Sequence, residues 1–152
     1  MRVATTTIDI QLLEAPPCLP ALQGEQGGGA ECTFIGRTRP EEDDELGSLE
    51  SLEYEAYSPM ARSMLETMAH RASEQWACLS IQLHHGICNV PIGEISVVAR
   101  VVSEHRADAF AACQWLMDEL KRSVPIWKRE IWTRGHSWSD GTLPSTPAEA
   151  AS

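Results

Sequence analysis

Residues Val3 to Leu12 alternate apolar and polar side chains in the manner of a strand, and the proline- and glycine-rich stretch 13–29 then breaks the pattern. That stretch predicts a loop with one short helical turn. AECTFIG, residues 30–36, restores strand character, and EEDDELG at 41–47 predicts a solvated, mobile acidic turn. From Leu49 on, Leu52, Tyr54 and Ala56 alternate with Ser51, Glu53 and Glu55, which marks a half-buried strand. Ser58 is then expected to cap a helix with Pro59 at its first position, and Met60, Met64, Leu65, Met68, Ala72 and Trp76 follow at helical spacing as a core stripe.

Leu79, Ile81 and Leu83 alternate again, and HHGICNVPIG, 84–93, reads as a loop. Its two histidines are neighbours, so in a strand they would face opposite ways and could not share a metal. Glu94 to Val102 is apolar enough for a central strand. HRADAFAACQWLMDELKRS predicts a helix with Phe110, Cys113, Met117, Leu120 and Val124 on one stripe, ended by Pro125. Ile126 to Trp132 predicts a further strand, and RGHSW turns back. The class is therefore α+β, with a mixed or antiparallel sheet and two main helices packed on it. Residues 1–141 are expected to form a single domain, and 142–152 a disordered tail.

At 152 residues the chain is long enough for a core without staples, and a net charge of −10 argues against nucleic acid and anionic membranes as partners. The charge is uneven. Residues 1–60 carry twelve acids against three arginines, whereas residues 61–136 carry eight acids against nine lysines and arginines, so a small anionic ligand is admissible in the later segment. Five cysteines without CxxC or zinc-ligand spacing suggest idle thiols in a reducing compartment, and the N-terminus lacks an apolar signal core, so the cytoplasm is the expected location. No metal and no resident cofactor are expected.

Only two lysines occur, Lys121 and Lys128, against ten arginines. Arginine serves wherever charge suffices, while lysine can lose its proton and brings a compact charge, so the pair either marks places where chemistry is wanted or is two solvated surface lysines left by chance. Lys121 falls in the last turn of the second helix and Lys128 in the next strand, on the face of Ile126 and Glu130, and the turn at Pro125 can bring both to one pocket. His105 and Arg106 stand at the start of that helix, where free backbone N–H groups favour an anion. Arg37 and Arg39 close the strand FIGRTRP at two-residue spacing, suited to gripping a phosphate.

LEYEAYSPMA, then SEHRADAF, then DELKRSVPIWKRE with a downstream HSW, in this order, closely resemble the large, catalytic subunit of molybdopterin synthase, the MoaE family. The likeness runs from about Ala30 to Trp138. It implies an α/β hammerhead-type fold and a homodimer of large subunits within a heterotetramer. Two small ubiquitin-like sulfur-carrier subunits of MoaD type would supply the rest. It further implies transfer of sulfur from the carrier's thiocarboxylated C-terminus to cyclic pyranopterin monophosphate, forming the molybdopterin dithiolene. Carried over by position, Lys121 and Lys128 are the active-site lysines. Phe34, Arg37, Thr38, Arg39, His105, Arg106, Arg129 and Glu130 join them in binding substrate.

The sequence departs from that pattern at His85-Gly86-Ile87-Cys88, where the family has H-R-x-G, and at Thr38, where valine is usual. Two other readings compete. A catalytically inactive relative would bind the small subunit without turning over, and would have no reason to spare these lysines. An unrelated phosphate-binding regulator would need the PIWK resemblance to be accidental.

Overall fold

The computed structural model describes residues 5–21 and 27–138, so the expected tail lies outside the described residues. In chain order the elements are β1 (Thr7–Leu13), β2 (Ala30–Arg37), β3 (Glu42–Asp43), β4 (Gly47–Ala56) and α1 (Ser58–Gln75). They continue with β5 (Cys78–Gly86), β6 (Asn89–Pro91), β7 (Ile95–Ser103), α2 (Arg106–Ser123), β8 (Ile126–Trp132) and β9 (Gly135–Trp138). They form two sheets rather than one. The first runs β1-β5-β7-β2, with β1 parallel to β5 and the other pairs antiparallel; the second runs β3-β4-β8-β9, with β6 also pairing β4.

The sequence of β7, ISVVARVVS, is nearly all apolar because it is covered on both faces at the centre of the first sheet, flanked by β5 and β2. Both helices pack on one side of that sheet, where Leu65, Ile81, Leu83, Ala99, Val101 and Leu116 are all but closed to solvent. Each such large aliphatic side chain contributes about 1.5–3 kcal/mol of transfer free energy. Period-two alternation puts Gln82, His84, Asp9 and Arg100 on the other side. There the His84 Nε2 lies 2.7 Å from Asp9 Oδ2, Gln82 donates to the Ala21 carbonyl at 2.9 Å, and Arg100 donates to the Pro20 carbonyl and pairs with Glu31. The proline-rich loop is thereby strapped across the sheet.

Several local expectations are corrected. The cap of α1 is Tyr57, whose side chain makes no capping bond, and Ser58 is already helical with Pro59 next. The buried face of α1 is Ala61, Leu65, Met68, Ala69 and Ala72, while Met60 is exposed because it lies a position before the stripe that meets the sheet. In α2, Phe110 points outward, 64% exposed, and the sheet instead receives Ala109, Ala112, Cys113, Leu116, Met117 and Leu120. His84, His85 and Gly86 extend β5, where a loop was expected, and Asn89–Pro91 adds a short strand to the second sheet.

The acidic turn is ordered. Asp43 Oδ1 accepts from the backbone N–H groups of Glu45 and Leu46, and Arg134 donates to the Glu45 carbonyl, each at 2.9 Å. At its end Gly47 has φ +89°, and a Cβ there would stand 2.0 Å from Thr133 Oγ1, so only glycine fits. The second sheet packs a small core of Leu49, Leu52 and Trp132. Among the described residues, no helix is long and apolar enough to cross a membrane.

Candidate active site

Lys121 and Lys128 come together because α2 ends abruptly. Val124 takes an extended conformation with its N–H on the Leu120 carbonyl, and Pro125 passes the chain directly into β8. In the antiparallel pairing of β4 with β8, Tyr54 opposes Lys128, Leu52 opposes Glu130 and Ala56 opposes Ile126. These positions share one face of the second sheet, and that face looks across a cavity of about 500 Å³ toward the end of α2 and the strands β2, β5 and β7.

The wall carries four cationic side chains, Arg37, Arg39, Lys121 and Lys128, against two carboxylates, Glu41 and Glu130. Arg37 donates to the Gly93 carbonyl at 2.9 Å, and Arg39 pairs with Glu41 at 3.1 Å with its side chain 83% exposed. Glu130 accepts from the Ser137 hydroxyl at 2.9 Å. Neither lysine forms an ion pair with a described residue. The site thus holds uncommitted ammonium groups and an excess of positive charge in a chain whose total is strongly negative. A bulge between Gly36 and Arg37 re-aims the end of β2 toward the cavity. A Cβ at Gly36 would meet Val97 at 2.7 Å, so glycine is what permits this close approach.

Six of the sequence-derived residues therefore line one cavity: Phe34, Arg37, Arg39, Lys121, Lys128 and Glu130. Four do not. Thr38 is 1% exposed, its hydroxyl donates to the Val90 carbonyl at 3.0 Å, and both its backbone groups are bonded in the turn at Gly93–Glu94. Arg129 projects to the opposite face of β8, as its odd position requires, and pairs with Glu53 at 2.9 Å. His105 and Arg106 are exposed at the start of α2. The rise of the helix sets them about 22 Å from Lys121 along its axis, too far to reach the same cavity within one chain.

The structure adds wall residues that the sequence reading passed over. His85 is 5% exposed, its Nδ1 lies 2.8 Å from the Gly86 carbonyl, and its ring meets Tyr54 edge to face at 5.0 Å. Burial pushes its pKa down to about 4, against a smaller opposing effect of the Gly86 carbonyl. Burial likewise raises the pKa of Tyr54, with the nearby Ser96 hydroxyl opposing. Leu52, Val97, Met117 and Leu120 supply apolar wall. The adjacent histidines were the available signal: once they lie in a strand, one must face the polar network and the other the core side. Among the described residues no group of three His, Cys, Asp or Glu side chains is placed to hold a metal.

The departure at 85–88 is accommodated locally. A side chain at Gly86 would start 3.1 Å from Cys88 Sγ and 3.3 Å from Pro17 Cδ, so these two residues crowd the place where the family's arginine would begin and would have to give by a few tenths of an ångström. His85 keeps its position in β5, paired with Val97.

Comparison with known proteins places the chain. The family model described as MoaE protein matches residues 8–123. The molybdopterin synthase catalytic subunit of Arabidopsis thaliana is 44% identical over 114 residues, covering 75% of this chain and 57% of that relative, little more than half its length. The subunit of the same name from Pyrococcus abyssi is 35% identical over 122 residues, 80% of each chain. Molybdopterin synthase from Staphylococcus aureus has the same fold, with a TM-score of 0.74 at 31% identity over 85% of this chain and 95% of that one. The fold class expected from the sequence, α+β with a mixed sheet arrangement and two main helices, is the one observed. The chain belongs to the MoaE family.

Proposed function

We propose that this protein is the catalytic subunit of a molybdopterin synthase, transferring sulfur from the thiocarboxylated C-terminus of a small ubiquitin-like subunit to cyclic pyranopterin monophosphate. The observation that carries the reading is the convergence of the chain's two lysines with Arg37 and Arg39 on one cavity. Thiocarboxylate and cyclic phosphate are both anions, and the cavity wall carries four cationic side chains against two carboxylates.

Lys121, at the end of α2, meets the carrier's C-terminus, where its ammonium polarises the acyl carbon and serves the proton transfers of the reaction. Lys128 and Arg39 hold the substrate phosphate, and Phe34 and Arg37 complete that side. Glu130 holds or relays a proton next to Lys128. Each transfer forms a carbon–sulfur bond on the pterin side chain in place of a carbon–oxygen bond, whose oxygen leaves as water or with the opening cyclic phosphate. At the carrier the acyl carbon–sulfur bond breaks, water adds to the acyl carbon and the glycine is released as a carboxylate. Two such transfers make the dithiolene. A groove beside the cavity, lined by Cys32, Phe110 and Gln114, shares Phe34, Met117 and Lys121 with it. It offers the carrier's extended C-terminal segment an apolar approach to Lys121.

The protein works as a homodimer within a heterotetramer. His105 and Arg106, too distant from their own chain's lysines, serve the cavity of the second copy in that dimer. Its place is the cytoplasm, consistent with five free cysteines. Mixing the purified protein with a thiocarboxylated small subunit and the cyclic pyranopterin should yield molybdopterin. Binding of the small subunit without product would identify an inactive binding module instead.

A further inference from the structure

We propose that His85 is a positioning residue for the pterin, accepting a hydrogen bond from a ring N–H of the substrate at the neutral inner end of the cavity. The proposal deepens the function given above and rests on it.

The tautomer follows from the partner. A carbonyl oxygen only accepts, so the Nδ1 that faces the Gly86 carbonyl at 2.8 Å carries the proton, and Nε2 is left with a bare lone pair. The one described hydrogen bond of the ring is that of Nδ1, so no described group donates to Nε2, and the ring forms part of the cavity wall. Since His85 lines the cavity and is otherwise enclosed, Nε2 is reached from the cavity side. The ring cannot easily turn away, being held by Gly86 at one edge and by the Tyr54 face-to-edge contact at 5.0 Å.

Division of labour within the cavity gives the acceptor its meaning. The charged groups Arg37, Arg39, Lys121 and Lys128 are donors and suit the anionic ends of the two reactants. Tyr54 meets the His85 ring and Val97 is its partner across β5 and β7, a neutral surround suited to a planar ring. A pterin presents amide and amino N–H donors on its edge. A fixed, uncharged acceptor in such surroundings selects a ring that brings a donor and rejects one that leaves the lone pair unmet. Its burial-lowered basicity fits an acceptor that stays neutral throughout turnover, and is unsuited to a general base.

The test compares His85→Asn and His85→Gln with the natural protein. Asparagine places its amide where Nδ1 stands and keeps the link to Gly86 but loses Nε2, whereas glutamine reaches the Nε2 position and can offer its carbonyl. Binding of cyclic pyranopterin monophosphate should weaken roughly tenfold or more in the asparagine variant. KM should rise while kcat changes little, and the glutamine variant should recover part of the loss. Binding of inorganic phosphate and of the small subunit should be unchanged in both. Equal pterin affinity in all three proteins overturns the proposal while leaving the function standing. Failure of the natural protein to bind the pterin overturns the function and the proposal together. A measurement on the unmutated holo-complex guards against misfolded variants: the ¹⁵N resonance of His85 Nε2 should move upfield when the pterin is added. An unmoved resonance refutes the assignment.

Discussion

His85→Gln should change the way stability depends on pH. The natural imidazole has its folded-state pKa near 4 because it is buried, against 6.5 in the unfolded chain. As pH falls below 6.5 the unfolded state takes up a proton that the folded state refuses, so the equilibrium is drawn toward unfolding. This contribution to stability is whole above 6.5 and is lost progressively down to about 4, where the folded protein protonates as well. At about 1.4 kcal/mol per pH unit, the interval between the two values corresponds to about 3 kcal/mol. That is a substantial part of the ~5–15 kcal/mol typical of a domain. Glutamine does not titrate, so the variant should lack this component. The four other histidines and the carboxylates are common to both proteins and cancel in the comparison. Urea unfolding followed by tryptophan fluorescence at steps between pH 7.5 and 4.5, at one protein concentration, measures the difference. Parallel curves for the two proteins would mean that His85 is not buried as described.

Leu65→Ala should cost about 3 kcal/mol in the same unfolding experiment, since the side chain is fully enclosed between α1 and the first sheet; a change under about 1 kcal/mol would contradict that packing. Arg39→Ala should leave stability within about 0.5 kcal/mol of the natural value, because its ion pair is exposed. It should nonetheless weaken pterin binding, by calorimetry, while small-subunit binding persists, and loss of both would move Arg39 to the protein interface. Removing residues 142–152 should leave the melting temperature unchanged, the segment having few apolar side chains to bury. A clear fall would place it in the domain.

What could be read from the sequence was what repeats locally. β8 was delimited at Ile126 and Trp132 by the break at Pro125 and the turn at RGHSW, and β7 was recognised as central from its mostly apolar run. Phe110 and Met60 were misassigned because helical spacing identifies a stripe only to within a neighbouring position, and the sheet beneath decides which edge is covered. The site was legible where neighbours in sequence are neighbours in space: the turn at Pro125 brings Lys121 to Lys128, and period two sends Glu130 the same way. Period two also should have sent Arg129 the opposite way, and reading KRE as a unit obscured this. Tyr54 and His85 depend on β4 meeting β8 and β5 meeting β7, pairings between distant segments that no local pattern announces. The same holds in reverse for His105 and Arg106, which one chain keeps apart from its own lysines.

The central claim is that Lys121 acts chemically on the carrier's thiocarboxylate rather than as a fixed charge. Single-turnover conversion of cyclic pyranopterin monophosphate by Lys121→Arg, with saturating thiocarboxylated small subunit and its binding checked in parallel, tests this directly. Arginine keeps the charge but is larger and remains protonated. The variant should fold, assemble with the small subunit and convert substrate about a hundredfold more slowly or worse. Near-natural conversion by the assembled variant would contradict the account.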